Sequence, residues 1–542
     1  MTHGRLRPLA LMAPAFALLV VFLAYPLEGI LRESFGRGGV GPLFDDSYYL
    51  ERGWFTAWQA TLSAALALSA ALPLAWVLAC HDFRGKRTLE ALLLVPFVLP
   101  TIVVAVAFTA LIGPDGWLNQ LLTKLPFVEG QPINLQNTIW AILLAHVFYN
   151  VAVAARIISS GWRAIDPRLE DAASMLGAGP AARFWRVTLP LLRNSLLAAG
   201  SLVFLFCFTS FGVVLILGGS KFSTLETEIY KESLFLFRLP VAAALAITQM
   251  VVTFAAIAVN TRLQRSTGQQ TEAGRIVPFT LVSRGAAIVV LGSVVVLTVL
   301  PLAALVQRSF EAPGGYSWRY YAMLDDNVRG QILFVTPATA IRNSIIYALF
   351  TVAIAVPIGG LAALGAVRAR SMLAESLVQL PLGVSAVTLG LGFLITLDEP
   401  PLNLRSSPAL VVIAHSLVAM PFVARTIGAR LRSLDPRLRE AAAMLGASPA
   451  RAFLRVELPL IAPAVAVGGI LAFATSMGEF GATLLIARPE YPTIPVAIFR
   501  YLGQPGALNY GQALAMSSIL MAVTATGFLL IERLSGRSGS QF

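Results

Sequence analysis

The 542-residue chain is poor in charge. Only 13% of its residues are Asp, Glu, Lys or Arg, while 57% are hydrophobic, and its mean hydropathy is +0.76. Soluble domains carry about 25% charged residues, so this chain lacks the polar groups to cover a globule in water. Cysteine is scarcer still. Cys80 and Cys207 both fall in apolar segments, which excludes a disulfide framework and a cysteine-based metal cluster. The four histidines, His3, His81, His146 and His415, form neither a metal-ligand spacing nor a Ser/His/Asp frame. There is no GxxxxGK[ST] phosphate loop: Gly85-Lys86 has Cys80 where the first glycine would stand, and Gly219 precedes Ser220-Lys221 without that frame. The alternating ten-residue pattern of an outer-membrane barrel is also missing.

What remains is apolar and long. A helix of about 20 apolar residues crosses a ~30 Å hydrocarbon core. Twelve such segments are expected, at 9–31, 55–80, 89–112, 137–160, 193–219, 240–261, 285–307, 340–366, 372–397, 408–430, 463–487 and 511–532. The fold class is an all-α polytopic membrane protein of about 12 transmembrane helices. The first segment follows Arg5 and Arg7 and has no small-residue cleavage site after it, so it reads as an uncleaved span. With both termini cytoplasmic, the inner side holds 26 Lys and Arg against 11 Asp and Glu, and the outer side 14 against 17. The opposite orientation would invert the positive-inside rule. The net charge of +12 is therefore topological and calls for no nucleic acid. The stretch RLQRSTGQQTEAGR (262–275) reads as a flexible linker. It divides the chain into a first six-span half, 1–262, a cytoplasmic linker, 263–284, and a second six-span half, 285–542.

The halves repeat each other. DPRLEDAASMLGA at 166–178 returns as DPRLREAAAMLGA at 435–447, an offset of 269, and 17 of 25 residues match between 166–190 and 435–459. The same offset carries Ala145-His146 onto Ala414-His415 and Phe211-Gly212 onto Phe480-Gly481. The third and ninth spans alone need an extra shift. Six spans is an even number, so both copies point the same way. A parallel repeat with a pseudo-two-fold axis along the membrane normal suits a transporter with a central pathway.

The repeated 13-mer has helix-stop chemistry at both ends. Asp166 and Asp435 stand at the N-cap, followed by a first-turn proline, and Gly177 and Gly446 allow the positive φ that ends a helix. Between them lie Leu169, Ala172, Ala173, Met175 and Leu176 in one copy and Leu438, Ala441, Ala442, Met444 and Leu445 in the other, with Asp171 and Glu440 among them. A short helix of this kind is either a membrane-surface helix or a docking helix for a cytosolic partner. Small apolar residues, carboxylates and intact register favour docking. After each helix, Leu189-Pro190 and Leu458-Pro459 are expected to break the chain before the next span.

The pattern Asp171-Ala172-Ala173…Gly177…Leu189-Pro190, with Glu440-Ala441-Ala442…Gly446…Leu458-Pro459, resembles the motif of permease subunits of ATP-binding-cassette (type I) importers. The resemblance covers essentially the whole chain, and the fused twelve-span layout matches the branch that imports thiamine and ferric iron. LLAHVFYN (143–150) and CFTSFGVVLILGGSKFSTLETEIY (207–230) look most like the thiamine importer permease. The resemblance implies the following. Asp166 to Gly177 and Asp435 to Gly446 are coupling helices that dock two copies of a cytosolic ABC ATPase. ATP and Mg are bound by that partner, and this chain holds no cofactor of its own and is not itself an enzyme. An extracytoplasmic substrate-binding protein delivers cargo to a bacterial cytoplasmic (inner) membrane. The cargo is thiamine or its phosphates, with ferric iron as the alternative; an ATP-independent secondary carrier is the rival class. Candidate pathway or gate residues are Ser210, Phe211, Glu479, Phe480, His146 and His415. The two histidines sit inside spans, where an ionisable group marks either function or a hydrogen bond between packed helices. Glu479 either lines the pathway, with the rings of Phe211 and Phe480 helping a cation pass, or pairs with Arg488.

Overall fold

The computed structural model of the protein describes residues 8–125, 132–267, 278–326, 335–398, 400 and 402–538. Helix formation follows from the absence of water. In hydrocarbon every backbone N–H and C=O must be satisfied within the chain, and a helix does this locally. Among the described residues, eleven helices are long and apolar enough to cross a membrane, accompanied by shorter apolar helices.

The described chain divides into two compact units, neither contiguous in sequence. One comprises residues 1–42, 229–247 and 309–542; the other comprises 43–228 and 248–308. Each unit therefore includes a long apolar helix from the other half of the sequence, Ala13–Gly36 in the former and most of Leu281–Ser309 in the latter.

Each unit is built on three packed helices. In the 43–308 unit these are Ser47–Cys80, Ile139–Arg163 and Leu189–Phe208. In the other they are Pro337–Ala369, Ala409–Arg432 and Leu458–Gly478. Small residues make the close approach possible. Ala60, Ala64, Ala67, Ala71 and Ala75 recur every three or four residues and are all buried, as are Ala340, Ser344, Ala348, Thr351 and Ala355 of the equivalent helix. Lipid is as apolar as leucine, so membrane helices associate through such packing and not through hydrophobic exclusion. In contrast, Ile288, Val289 and Val296 of helix 281–309 lie exposed, an apolar surface matched to hydrocarbon.

Four expectations need correction. The third and ninth spans are not single helices. Lys86–Val98 stops before Leu99-Pro100 and Thr101–Ile112 restarts after it; Met372–Val378 is separated from Ala386–Thr396 by a 3-10 turn containing Pro381, and Ser385 caps the restart by accepting the Thr388 N–H at 3.0 Å. Proline lacks the N–H that would continue the helix. The fifth and eleventh spans end early, at Phe208 and Gly478, and new short helices run Gly212–Leu217 and Gly481–Ile486. Leu189-Pro190 and Leu458-Pro459 do not break the chain. One π-helical turn, Phe184–Thr188 or Phe453–Glu457, leads into each following helix. The shifted i→i+5 pattern absorbs the donor that proline lacks, so Pro180–Phe208 and Pro449–Gly478 are each continuous. Lastly, residues 262–267 of the expected flexible linker extend helix Leu239–Thr267, since Arg, Leu and Gln are good helix formers. Residues 268–277 lie outside the described residues.

The far end of that linker is clamped. Phe279 stacks on the imidazole of His81, with centroids 4.2 Å apart and planes at 15°, and Trp76 meets the same ring edge-on at 4.8 Å. Burial, aided by the nearby Lys86 ammonium, lowers the His81 pKa below its ordinary value. A histidine with a depressed folded pKa stabilises the fold fully above the unfolded pKa of about 6.5 and progressively less as pH falls towards the folded value. Thermal unfolding of the purified protein is therefore expected to drop in temperature between pH 7.5 and 5.5, and His81→Phe is expected to flatten that dependence. An unchanged slope in His81→Phe would remove the clamp from the account.

Candidate functional site

Two exposed short helices carry the repeated motif. Pro167–Met175 begins where the Asp166 carboxylate accepts the Arg168 N–H at 2.9 Å, and Pro436–Met444 where Asp435 accepts the Arg437 N–H at 2.9 Å. Both end in the same way. Gly177 (φ 83°) and Gly446 (φ 78°) take the left-handed conformation. Ala178 and Ala447 donate back to Ala173 and Ala442 carbonyls at 3.0 Å, the six-to-one bond of a Schellman motif. That ending turns Met175 and Leu176, and Met444 and Leu445, outward; each of the four is 89% exposed. Leu169 and Leu438 are exposed one to two turns earlier, and Ala172, Ala441, Asp171 and Glu440 are also exposed, whereas Ala173 is half-buried and Ala442 buried. Each helix thus offers an unpaired apolar stripe beside a carboxylate-bearing residue.

The exposed helices are anchored from behind. In the first, Thr188 donates to Glu170 at 2.7 Å and Arg183 to the Ser174 hydroxyl at 2.7 Å. The second packs against the segment after it, in which the Ser448 hydroxyl accepts the Arg451 N–H and Glu457 pairs with Arg368 at 2.5 Å. A further ion pair is repeated: Arg163 with Glu90 at 3.6 Å, and Arg432 with Glu375 at 2.8 Å. The arginines are 269 residues apart but the glutamates 285. That difference hid the pair from sequence reasoning; the signal available was a charge of each sign at the ends of neighbouring spans.

A second constellation is buried. His415 Nδ1 meets the Ser476 hydroxyl at 2.7 Å, and its Nε2 meets the Thr483 hydroxyl at 2.8 Å and Glu479 Oε2 at 3.3 Å. Glu479 accepts the Ala482 N–H at 2.8 Å and the Thr483 N–H at 3.0 Å, and also bonds the Thr483 hydroxyl. It therefore caps helix 481–486, supplying acceptors to N–H groups that a helix start leaves unsatisfied. Thr351 donates to Ser476 at 3.3 Å and ties in a third long helix. The alternative pairing of Glu479 with Arg488 does not occur; Arg488 is exposed, and the helix start satisfies the carboxylate instead.

The equivalent place in the first half is different. His146 Nδ1 meets the Ser63 hydroxyl at 2.8 Å, but its Nε2 is buried without a partner. The reason is substitution: Val214 and Ser210 occupy the positions of Thr483 and Glu479. Ser210 and Phe211 are buried at the break before helix 212–217. Phe480 is buried too, with its ring 5.6 Å from Phe499, which lies 6.5 Å from Tyr230. Of the six candidate pathway residues, the structure brings His415 and Glu479 into direct contact, while His146 turns to Ser63. The segments after these breaks contain the helices Leu225–Leu234 and Ile494–Leu502. Glu226, Glu228 and Glu232 of the former are buried, with Glu226 bonded to Gln249 and Glu228 accepting from Tyr48.

Comparison with known proteins bears on all of this. The profile of the family described as binding-protein-dependent transport system inner membrane component matches residues 71–269 and again 355–538. The chain is 27% identical over 510 residues to the thiamine transport system permease protein of Escherichia coli (strain K12), covering 92% of this chain and 91% of that one. It is 27% identical over 551 residues to the protein of the same name from Haemophilus influenzae, with 97% of each chain covered. A crystal structure of a bacterial ABC transporter involved in alginate import aligns with 48% of this chain and 95% of that chain, at a TM-score of 0.40 and 17% identity.

Proposed function

The chain belongs to the family of binding-protein-dependent transport system inner membrane components, and on that premise we propose that it is the thiamine-conducting permease of an ATP-driven importer. The observation that carries the coupling half of this reading is the pair of capped helices 167–175 and 436–444, each ending on an exposed Met-Leu pair. They dock two copies of a cytosolic ATPase, which binds ATP and Mg; an extracytoplasmic binding protein delivers the cargo. Both termini and both docking helices face the cytoplasm, in keeping with the charge distribution.

The mechanical path runs through the chain itself. The first docking helix is bonded to the segment that follows it, and the second packs against its own following segment. That segment passes without a break through one π-helical turn into a membrane-crossing helix. A displacement of the docking helix by ATP-driven closure of the ATPases is thereby delivered to the far ends of helices 189–208 and 458–478. In the second half that end is held to helix 409–432 by the His415, Ser476 and Glu479 cluster. Alternating access follows when the two docking helices move in concert.

Thiamine is the preferred cargo because relatives named for thiamine match over nearly the whole length. The test is reconstitution of the permease with its ATPase and binding protein in liposomes. Accumulation of labelled thiamine is expected to require ATP, and ferric ion is expected neither to be transported nor to compete. Ferric uptake without thiamine uptake would replace the cargo; thiamine uptake without the ATPase would replace the class with a secondary carrier.

A further inference from the structure

Beside the second docking helix lies a cavity of about 430 Å³. It opens among the ends of helices 337–369 and 409–432, the start of 372–378 and the flank of 436–444. Arg368, Arg370, Arg432 and Arg439 line it, with Glu375, Asp435 and Glu457. The carboxylates are already engaged: Glu457 with Arg368, Glu375 with Arg432, and Asp435 with the helix N–H of Arg437. Arg370 and Arg439 have no carboxylate partner among the described residues, and Arg368 Nε is buried with no acceptor. Arg370 stands in the left-handed conformation, φ 49°, uncommon for a side-chain-bearing residue. Directly after it, Met372 and Leu373 are 76% and 73% exposed. Guanidinium donors without acceptors thus share a hollow with an apolar lip.

The duplication supplies an internal contrast. At the 269-residue offset Arg439 and Glu457 correspond to Glu170 and Thr188, which bond each other at 2.7 Å. The Arg432–Glu375 pair is kept in the first half as Arg163–Glu90. The framework is therefore common to both copies, and the free cation at position 439 belongs to the second alone.

We propose that this cavity binds the phosphate headgroup of an anionic phospholipid, with the acyl chains running past Met372 and Leu373. Guanidinium groups match phosphate oxygens bidentately. Basic pockets between transmembrane helices at the cytoplasmic surface are the usual setting for such headgroups. The leaflet rests on the orientation proposed above. Binding itself does not, since in detergent both faces are open. A lipid held here would brace helix 436–444 against the membrane end of helix 337–369, on one docking helix and not the other.

Native mass spectrometry of the full-length chain, titrated with phosphatidylglycerol, phosphatidylcholine and inorganic phosphate, tests this. Phosphatidylglycerol is expected to bind in preference to phosphatidylcholine, with inorganic phosphate failing to displace it. The double variant Arg370→Gln/Arg439→Gln is expected to weaken that binding roughly 30-fold, two near-surface arginines lost. The control Arg262→Gln/Arg284→Gln is expected to leave it unchanged, and both variants to keep the parent melting temperature. Equal lipid binding by the two double variants overturns the site. Displacement by inorganic phosphate overturns the lipid and assigns a soluble phosphate ester. Loss of the lipid when the ATPase subunit binds overturns it in favour of a protein side chain from the partner.

Discussion

Replacing Met444 and Leu445 together by aspartate is expected to abolish ATP-driven uptake while leaving the permease folded and inserted. Both side chains are almost fully exposed at the end of the second docking helix, so their loss removes no internal packing. In the assembled importer they would be buried against the ATPase. Burying a Met or Leu side chain is worth about 1.5–3 kcal/mol, so losing both weakens docking by roughly 100-fold or more at 1.4 kcal/mol per tenfold. Two carboxylates forced into the same apolar contact add a desolvation penalty. Copurification of the ATPase, basal melting temperature and uptake in liposomes give the three readings. Docking requires the first and third to fall and the second to stay. If the helix lay on the membrane surface instead, ATPase copurification would be unaffected, and the docking role would be lost. Glu440→Arg reads the charge alone and is expected to uncouple ATP hydrolysis from transport with the protein still inserted. The matching substitutions at Met175, Leu176 and Asp171 tell whether the two docking sites are equally strong, a question raised by aspartate in one copy and glutamate in the other.

The second large effect is expected at Glu479. Glu479→Ala leaves the Ala482 and Thr483 N–H groups at the start of helix 481–486 without their acceptors and takes a carboxylate from beside His415. Each buried donor left unmade costs about 1–3 kcal/mol, and no water replaces the acceptor in a hydrocarbon setting. For these two donors a loss of about 2–6 kcal/mol over the local structure follows by the same reckoning, enough to unfold the cap and stop transport. Glu479→Gln retains one acceptor oxygen and is expected to fall between the parent and the alanine variant. The measurements separate two roles. A capping carboxylate lowers melting temperature and maximal uptake in parallel across the series. A cargo-contacting carboxylate raises the half-saturating thiamine concentration at unchanged melting temperature, and that outcome would return Glu479 to the pathway.

Much of the architecture was legible in the residues. Long apolar runs announce the spans because the hydrocarbon thickness sets a minimum length. The two short helices of the repeated motif were legible to their ends, since Asp-Pro and Gly act on the nearest few backbone groups and need no distant partner. The misses share a cause. Pro190 and Pro459 are strong local stop signals, yet a π-helical turn before each lets the helix run through. Pro100 and Pro381, in apolar runs that look continuous, do coincide with breaks. Nothing in the immediate sequence separates these cases; the difference is the π-helical turn that precedes Pro190 and Pro459.

The sequence by itself determined that the protein is a duplicated membrane bundle with two exposed capped helices, because periodicity, charge asymmetry and helix stops are properties of short stretches. Only the tertiary structure decided what the isolated polar groups do. His415 and Glu479 are 64 residues apart and meet through the packing of separate helices, while His146 has Val214 and Ser210 at the sequence positions equivalent to Thr483 and Glu479, bonds Ser63 through Nδ1 and leaves its Nε2 buried without a partner. Inside a membrane a polar side chain must find its partner wherever folding places one, and that partner is set by the packing of whole helices, which no stretch of neighbouring residues encodes.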